Sequence, residues 1–221
     1  MKYGKTVGLR FEKSGAARVF RGNTVVAHVL EASEACRALS VVRRRLEEEG
    51  FGENLIFLPE GSYHVTFLQG INDQNRTPDR WPVLLSPDAS MEEADAYFTA
   101  AVLRAGLPGS VHFRFDSVAV SESCVIVRLL PDSEEDEKIL RDFRDRAAKE
   151  LNHFIPGHDT YRFHITLAYV RTVPEGERWD LLNNLAKKMT MRLAAEPPFE
   201  TSSPYLSYFH DMLSFPKKRE K

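Results

Sequence analysis

The chain alternates short apolar, β-branched runs with stretches whose apolar residues recur every three or four positions. Thr24 to Leu30, Tyr63 to Phe67, Ser110 to Ser121, Cys124 to Leu130, Phe163 to Leu167 and Tyr205 to Phe215 read as strands. Between them lie four helical patterns. Ala35, Leu39, Val42 and Leu46 make one apolar stripe, and Ile139, Phe143, Ala147 and Leu151 make another. Tyr97, Phe98, Ala101, Val102 and Ala105 lie on one face of a third helix, Glu92 to Ala105, which Gly106 ends; a fourth follows Pro174 and carries Leu182, Leu185, Met189 and Leu193. Gly70 to Ser90 has no period and contains Pro78, Pro82 and Pro87, which predicts a long loop. Mixed strands and helices with tight connections predict an α+β fold with mainly antiparallel sheets.

The pattern repeats at an offset of 100 residues. Thr24 to Leu30 aligns with Cys124 to Leu130, Ser33 and Glu34 with Ser133 and Glu134, and Tyr63 to Phe67 with Phe163 to Leu167. Each Ser is placed to cap the helix that follows it. Strand, capped helix and strand therefore occur twice in one register, which predicts a duplicated unit with halves at about 24–67 and 124–167. The expected organisation is one bilobal domain over 1–221. Two mainly antiparallel sheets face each other across a central cleft, helices lie outside, 70–90 is the loop and 217–221 is a charged tail.

Composition narrows the function. The chain has 221 residues, 30 Lys and Arg against 32 Asp and Glu, and 43% hydrophobic residues. That supports a sizeable core, and the formal charge of -2 argues against a broad electrostatic grip on duplex DNA or an anionic membrane. Two cysteines, Cys36 and Cys124, exclude a disulfide scaffold and a Cys-rich zinc module. No apolar run is long enough for a transmembrane helix, and Met1 to Phe11 has no signal-peptide core. These features together predict a soluble, monomeric, cytoplasmic protein.

The candidate chemistry lies in the two repeated strands. Side chains alternate along a strand, so His64 and Thr66 share one face and Tyr63, Val65 and Phe67 the other; His164 and Thr166 likewise oppose Phe163, Ile165 and Leu167. If the lobes pack with these strands together, two imidazoles and two hydroxyls converge. One neutral and one protonated imidazole suffice for acid–base cleavage of a phosphodiester, with the Thr hydroxyls donating to its oxygens. Neither a metal nor another cofactor is needed. The sequence does not say which histidine is the acid.

Two His-hydrophobic-Thr motifs in a duplicated α+β chain resemble the 2H phosphoesterase superfamily, which includes 2′-5′ RNA ligase-like proteins and cyclic nucleotide phosphodiesterases. Four segments are similar to a sparsely characterised branch: Gly22 to Val25, Asp73 to Pro82 with Arg76, Arg80 and Trp81, His158 to His164, and Phe209 to Met212. The resemblance implies a V-shaped cleft, His64 and His164 as the catalytic pair, and Thr66 and Thr166 as phosphate contacts. It implies as substrates 2′,3′-cyclic, 1″,2″-cyclic or 2′-5′ phosphodiesters or RNA 3′ ends.

Other residues have two readings each. Arg162 shares the face of His164 and suits a phosphate or bulk solvent. Tyr161 and His158 either orient His164 or stabilise a turn. His28 and Arg128, equivalent in the repeat, either reach the cleft or occupy a wet strand edge. Arg76, Arg80 and Trp81 either meet a second phosphate and a base or pin the loop to the surface. Arg43, Arg44 and Arg45 followed by Glu47, Glu48 and Glu49 read as a solvated helix face. The rival functions are a metal hydrolase using His153, His158 and Asp159, and a non-catalytic module that binds a nucleotide or RNA end.

Overall fold

A computed structural model describes residues 1–217; of the charged tail, all but Lys217 lies outside the described residues. The strands are β1 (Lys2–Tyr3), β2 (Gly22–His28), β3 (Leu55–Phe57), β4 (His64–Asn72), β5 (His112–Val120), β6 (Cys124–Pro131), β7 (His164–Val170), β8 (Thr172–Val173), β9 (Phe199–Glu200) and β10 (Tyr205–Phe209). The helices are α1 (Glu34–Glu48), α2 (Met91–Ala105), α3 (Glu134–Glu150) and α4 (Glu177–Leu193). The class is α+β, and every pairing between these strands is antiparallel.

Helices α1 and α3 start at the serines the sequence places as caps. The Ser33 hydroxyl accepts from the Cys36 backbone N–H at 3.1 Å, and Ser133 accepts from Asp136 N–H at 3.0 Å, 100 residues on. Ser90 and Glu93 complete a reciprocal capping box on α2. The α1 stripe is buried as its spacing predicts. The α3 stripe is rotated: Leu140, Phe143, Ala147 and Leu151 are buried, Ile139 is only partly covered, and Arg144 lies inside with 1% exposure. Helix α2 packs with α3 against β4, and α4 packs with α1 against β5.

Seven strands follow one another in the order β10, β2, β4, β7, β6, β5, β9, and β3 adds to the side of β7, giving an eight-stranded sheet. Its two halves, β10-β2-β4 and β7-β6-β5-β9, meet where β4 and β7 share the single register pair Val65 and Ile165, and a bridge from Val29 to Thr201 outside these strands links them at the other end. A separate small sheet pairs β1 with β8.

Equivalent positions have equivalent partners. Ala27 pairs with Val65 and His28 with His64; Val127 pairs with Ile165 and Arg128 with His164. Both ladders then slip at the same point. Val26 opposes Thr66 but Val25 opposes Leu68; Ile126 opposes Thr166 but Val125 opposes Ala168. Each is a bulge with one extra residue, Phe67 or Leu167, and it reverses the alternation of side chains beyond it. The carbonyl of each extra residue has its own donor. Leu167 O accepts from Leu58 N–H at 2.9 Å, whereas Phe67 O accepts from the buried Arg144 guanidinium at 2.9 Å.

Two expectations change. The last strand stops at Phe209 rather than Phe215, because Asp211 Oδ1 accepts from Leu213 N–H and turns the chain, so that Phe215 packs on the sheet. The loop begins later than expected, at 73, because β4 runs on to Asn72.

Gly70 lies where β4 passes closest to β2. A Cβ there would sit 2.2 Å from Asn23 Oδ1, and that oxygen accepts from Ile71 N–H while the amide donates to Asp95. Gly70→Ala is expected to cost about 1–3 kcal/mol by overpacking. Gly109→Ala, which meets nothing within 4 Å, is expected to stay within about 0.5 kcal/mol of wild type. Urea unfolding of the two variants checks the pair; equal stabilities would contradict the close approach.

Candidate active site

The antiparallel pair Val65 and Ile165 sets His64 opposite Thr166 and Thr66 opposite His164. All four side chains line one cavity of about 270 Å³. Each histidine is held the same way. His64 Nδ1 lies 2.7 Å from Ser62 O, and His164 Nδ1 lies 2.9 Å from Arg162 O. A carbonyl only accepts, so Nδ1 carries the proton in both rings and Nε2 is the nitrogen available to a ligand.

The bulges add two residues to this cavity. Gln69 and Tyr169, which strict alternation would turn into the core, face it together with their ladder partners Thr24 and Cys124. These pairs are again equivalent at the offset of 100. Among the described residues the lining includes the guanidinium-bearing Arg10 and Arg80 and no Asp, Glu or Lys, although the whole chain is slightly acidic. The cavity is therefore locally cationic and suited to an anion.

The C-terminal segment covers the His64 side. The Phe215 ring lies 4.1 Å from the His64 ring, centroid to centroid. On the ladder side the His28 ring lies 6.1 Å away, and its Nε2 is 2.9 Å from Tyr205 Oη, which also donates to Phe215 O. His64 is 7% exposed. Burial, with smaller contributions from His28 and His164, lowers its pKa to about 4 against the Ser62 carbonyl, which raises it. His164 is also lowered, first by burial and then by the nearby Arg128 charge, with its own carbonyl partner opposing.

A family model, 2H-phosphodiest, described as a domain of unknown function (DUF1868), matches residues 10–123, just over half of the chain. The chain belongs to the 2H phosphoesterase superfamily. The matched segment contains His64 and Thr66, while His164 and Thr166 lie beyond it. The crystal structure of a conserved protein of unknown function, ATU0111 from Agrobacterium tumefaciens, is similar over 99% of this chain and 93% of its own, with 26% identity and a TM-score of 0.87. Escherichia coli LigT complexed with NADP+ is similar at 11% identity over 90% of this chain and 96% of its own, TM-score 0.48. TT0787 of Thermus thermophilus is similar at 13% identity over 85% and 86%, TM-score 0.43. No curated protein matches the chain. Among the described residues, no helix is long and apolar enough to cross a membrane.

In this member of the 2H superfamily the remaining sequence candidates divide. Tyr161 and Arg80 line the cavity. The Tyr161 ring lies 6.1 Å from His164 and rests on the Arg144 guanidinium at 4.1 Å, so Arg144 supports both a bulge and a cavity wall. His28 and Arg128 flank the two catalytic candidates in the ladder without lining the cavity. The exposed Arg162 contributes its carbonyl to His164, and its side chain is not part of the lining. Arg76 and Trp81 do not reach the cavity. Trp81 is 3% exposed with its indole N–H on Leu85 O and Ser86 O, while Arg76 stacks on it at 4.3 Å and bonds Asp73, Pro87 O and Ala89 O. Their work is to fix the loop.

The metal alternative also changes composition. Asp145, His158 and Asp159 bring ligand atoms within 4.8 Å of one another, without His153. His158 Nε2 lies 2.8 Å from Asp145 Oδ1, and none of the three lines the cavity.

The lining residues missed by sequence reading include Arg10, Gln69, Tyr169, Thr24, Cys124 and Phe215. Bulges and long-range packing bring them in, and neither leaves a periodic signal.

Keeping His64 neutral has a pH signature. Its folded pKa of about 4 lies below the ordinary 6.5, so between these values the unfolded chain binds more protons than the folded one. Stability is therefore full above about pH 6.5 and falls as pH drops toward 4, by roughly 3 kcal/mol from this group. Urea unfolding should show the wild type losing stability faster than His64→Gln between pH 7 and pH 4.5. Parallel curves would contradict the burial of a neutral ring.

Proposed function

We propose that the protein is a metal-independent phosphoesterase that hydrolyses a cyclic phosphate or a 2′-5′-type or RNA-end phosphodiester through His64 and His164. The observation that carries this reading is the convergence of two His-x-Thr strands on one cationic cavity, each ring fixed by an Nδ1–H bond with Nε2 turned to the ligand side. Members of the superfamily are typically phosphodiesterases or ligases.

The chemistry follows from the geometry. His64 is the ring less able to hold a proton, so it starts as the base and takes one from water. The water oxygen forms a bond to phosphorus as the bond to the leaving oxygen breaks. His164 Nε2–H gives its proton to that oxygen, and the net reaction adds one water across the ester. An anionic phosphate between the rings favours the protonated form of His164 that this step needs. Thr66 and Thr166 donate to the non-bridging oxygens, whose charge grows in the transition state. The two half-sites derive, on this reading, from a duplicated unit over 24–67 and 124–167, and the protein acts as a cytoplasmic monomer on nucleotides or RNA ends.

A turnover screen in EDTA tests the proposal, with 2′,3′-cyclic mononucleotides, ADP-ribose cyclic phosphate, 2′-5′ dinucleotides and a short RNA ending in a cyclic phosphate. His64→Ala and His164→Ala are each expected to lower kcat about 10²–10⁴-fold, and Thr66→Ala or Thr166→Ala about 10–10³-fold. Unchanged turnover in either histidine variant sinks the assignment. Activity that EDTA abolishes and zinc or manganese restores would move it to a metal hydrolase.

A further inference from the structure

Among the described residues, Arg10 is the one lining the cavity that the acid–base reading leaves without a task and that carries a permanent charge with no counter-ion. No carboxylate among the described residues pairs with it. Its Nε is buried without a hydrogen-bond partner. Its guanidinium lies 5.0 Å from the Phe20 ring and 6.0 Å from the Tyr169 ring, centroid distances that place it between two aromatic walls. A half-buried arginine whose charge meets only neutral groups, the hydrogen-bonded Tyr169 hydroxyl among them, in a lining free of Asp and Glu among the described residues is suited to an anion, because a neutral acceptor offsets only part of the cost of desolvating a guanidinium.

Its place is set by the fold. Strands β4 and β7 pair at Val65 and Ile165 and then run apart in opposite directions. Residues past Thr66 lead to one end of the cavity and residues past Thr166 to the other. Tyr169 lies three residues past Thr166, roughly 10 Å along the strand. The Arg10 guanidinium, set against the Tyr169 ring, therefore lies toward one end of the cavity, and it is not among the charges that act on either histidine.

We propose that Arg10, walled by Tyr169 and Phe20, forms a second anion subsite, and that the substrate carries a phosphate group distinct from the one cleaved. This deepens the phosphoesterase reading and rests on it for the position of the first phosphate. It favours a nucleotide with an additional phosphate over an unsubstituted cyclic mononucleotide.

Calorimetry tests the subsite without requiring turnover. The probes are adenosine 2′-monophosphate and adenosine 2′,5′-bisphosphate, titrated into wild type, Arg10→Ala and Arg10→Lys. Wild type is expected to bind the bisphosphate about 10- to 100-fold more tightly than the monophosphate. Arg10→Ala is expected to bring the two affinities together, and Arg10→Lys to restore part of the ratio by charge alone. A merely structural role for Arg10 would weaken both ligands alike and leave the ratio unchanged, which overturns the proposal. Equal affinities in wild type, or no binding of either probe, overturn it as well. The histidine chemistry is judged separately by the turnover of the His64 and His164 variants.

Discussion

One backbone pair, Val65 with Ile165, is the constraint on which the site depends. Two antiparallel strands that share a single pair must cross and part. Their side chains nearest the crossing are forced together while the rest diverge to make room for a ligand. The residues on either side of the pair are the two histidines and the two threonines. Had the strands zipped along their full length, the same residues would line a flat sheet face with no cavity. Strand β3 completes the arrangement by pairing with β7 beyond the crossing, where β4 has left.

The bulges beyond each His-x-Thr extend that constraint. Without them the alternation after Thr66 and Thr166 would continue, and Gln69 and Tyr169 would point into the core. Each bulge instead places two apolar residues in succession toward the core, Phe67 with Leu68 and Leu167 with Ala168, all buried. It then returns the next side chain to the cavity. An unpaired bulge carbonyl in the core would be costly. One half meets it with a backbone N–H and the other with the buried Arg144, which also carries Tyr161 on its face. Packing and site are joined through that arginine.

Much of this was legible in the chain. Period-two and period-3.6 patterns located the six longer strands and the four helices but not β1, β3, β8 or β9, Ser33 and Ser133 marked the starts of α1 and α3, and parity within the strands separated His64, Thr66, His164 and Thr166 from their apolar neighbours. The bulges were not legible, because an extra residue inside an apolar run leaves no mark on composition. Arg144 read as an ordinary charged residue on α3, since only the tertiary fold reveals the carbonyl it reaches. For Trp81 and Arg76 residue type left a ligand platform and a loop pin both open, and the buried indole with the guanidinium stacked on it is the loop pin. Arg10 lies far from both motifs in sequence, and its contact with Tyr169 spans most of the chain.

The central claim is that both halves grip one phosphate between two imidazoles. A crystal structure of the protein grown with inorganic phosphate tests it most directly. The account predicts a single phosphate between His64 Nε2 and His164 Nε2, with the Thr66 and Thr166 hydroxyls donating to its oxygens. Phosphate bound elsewhere, with the space between the two rings filled only by water, would contradict it.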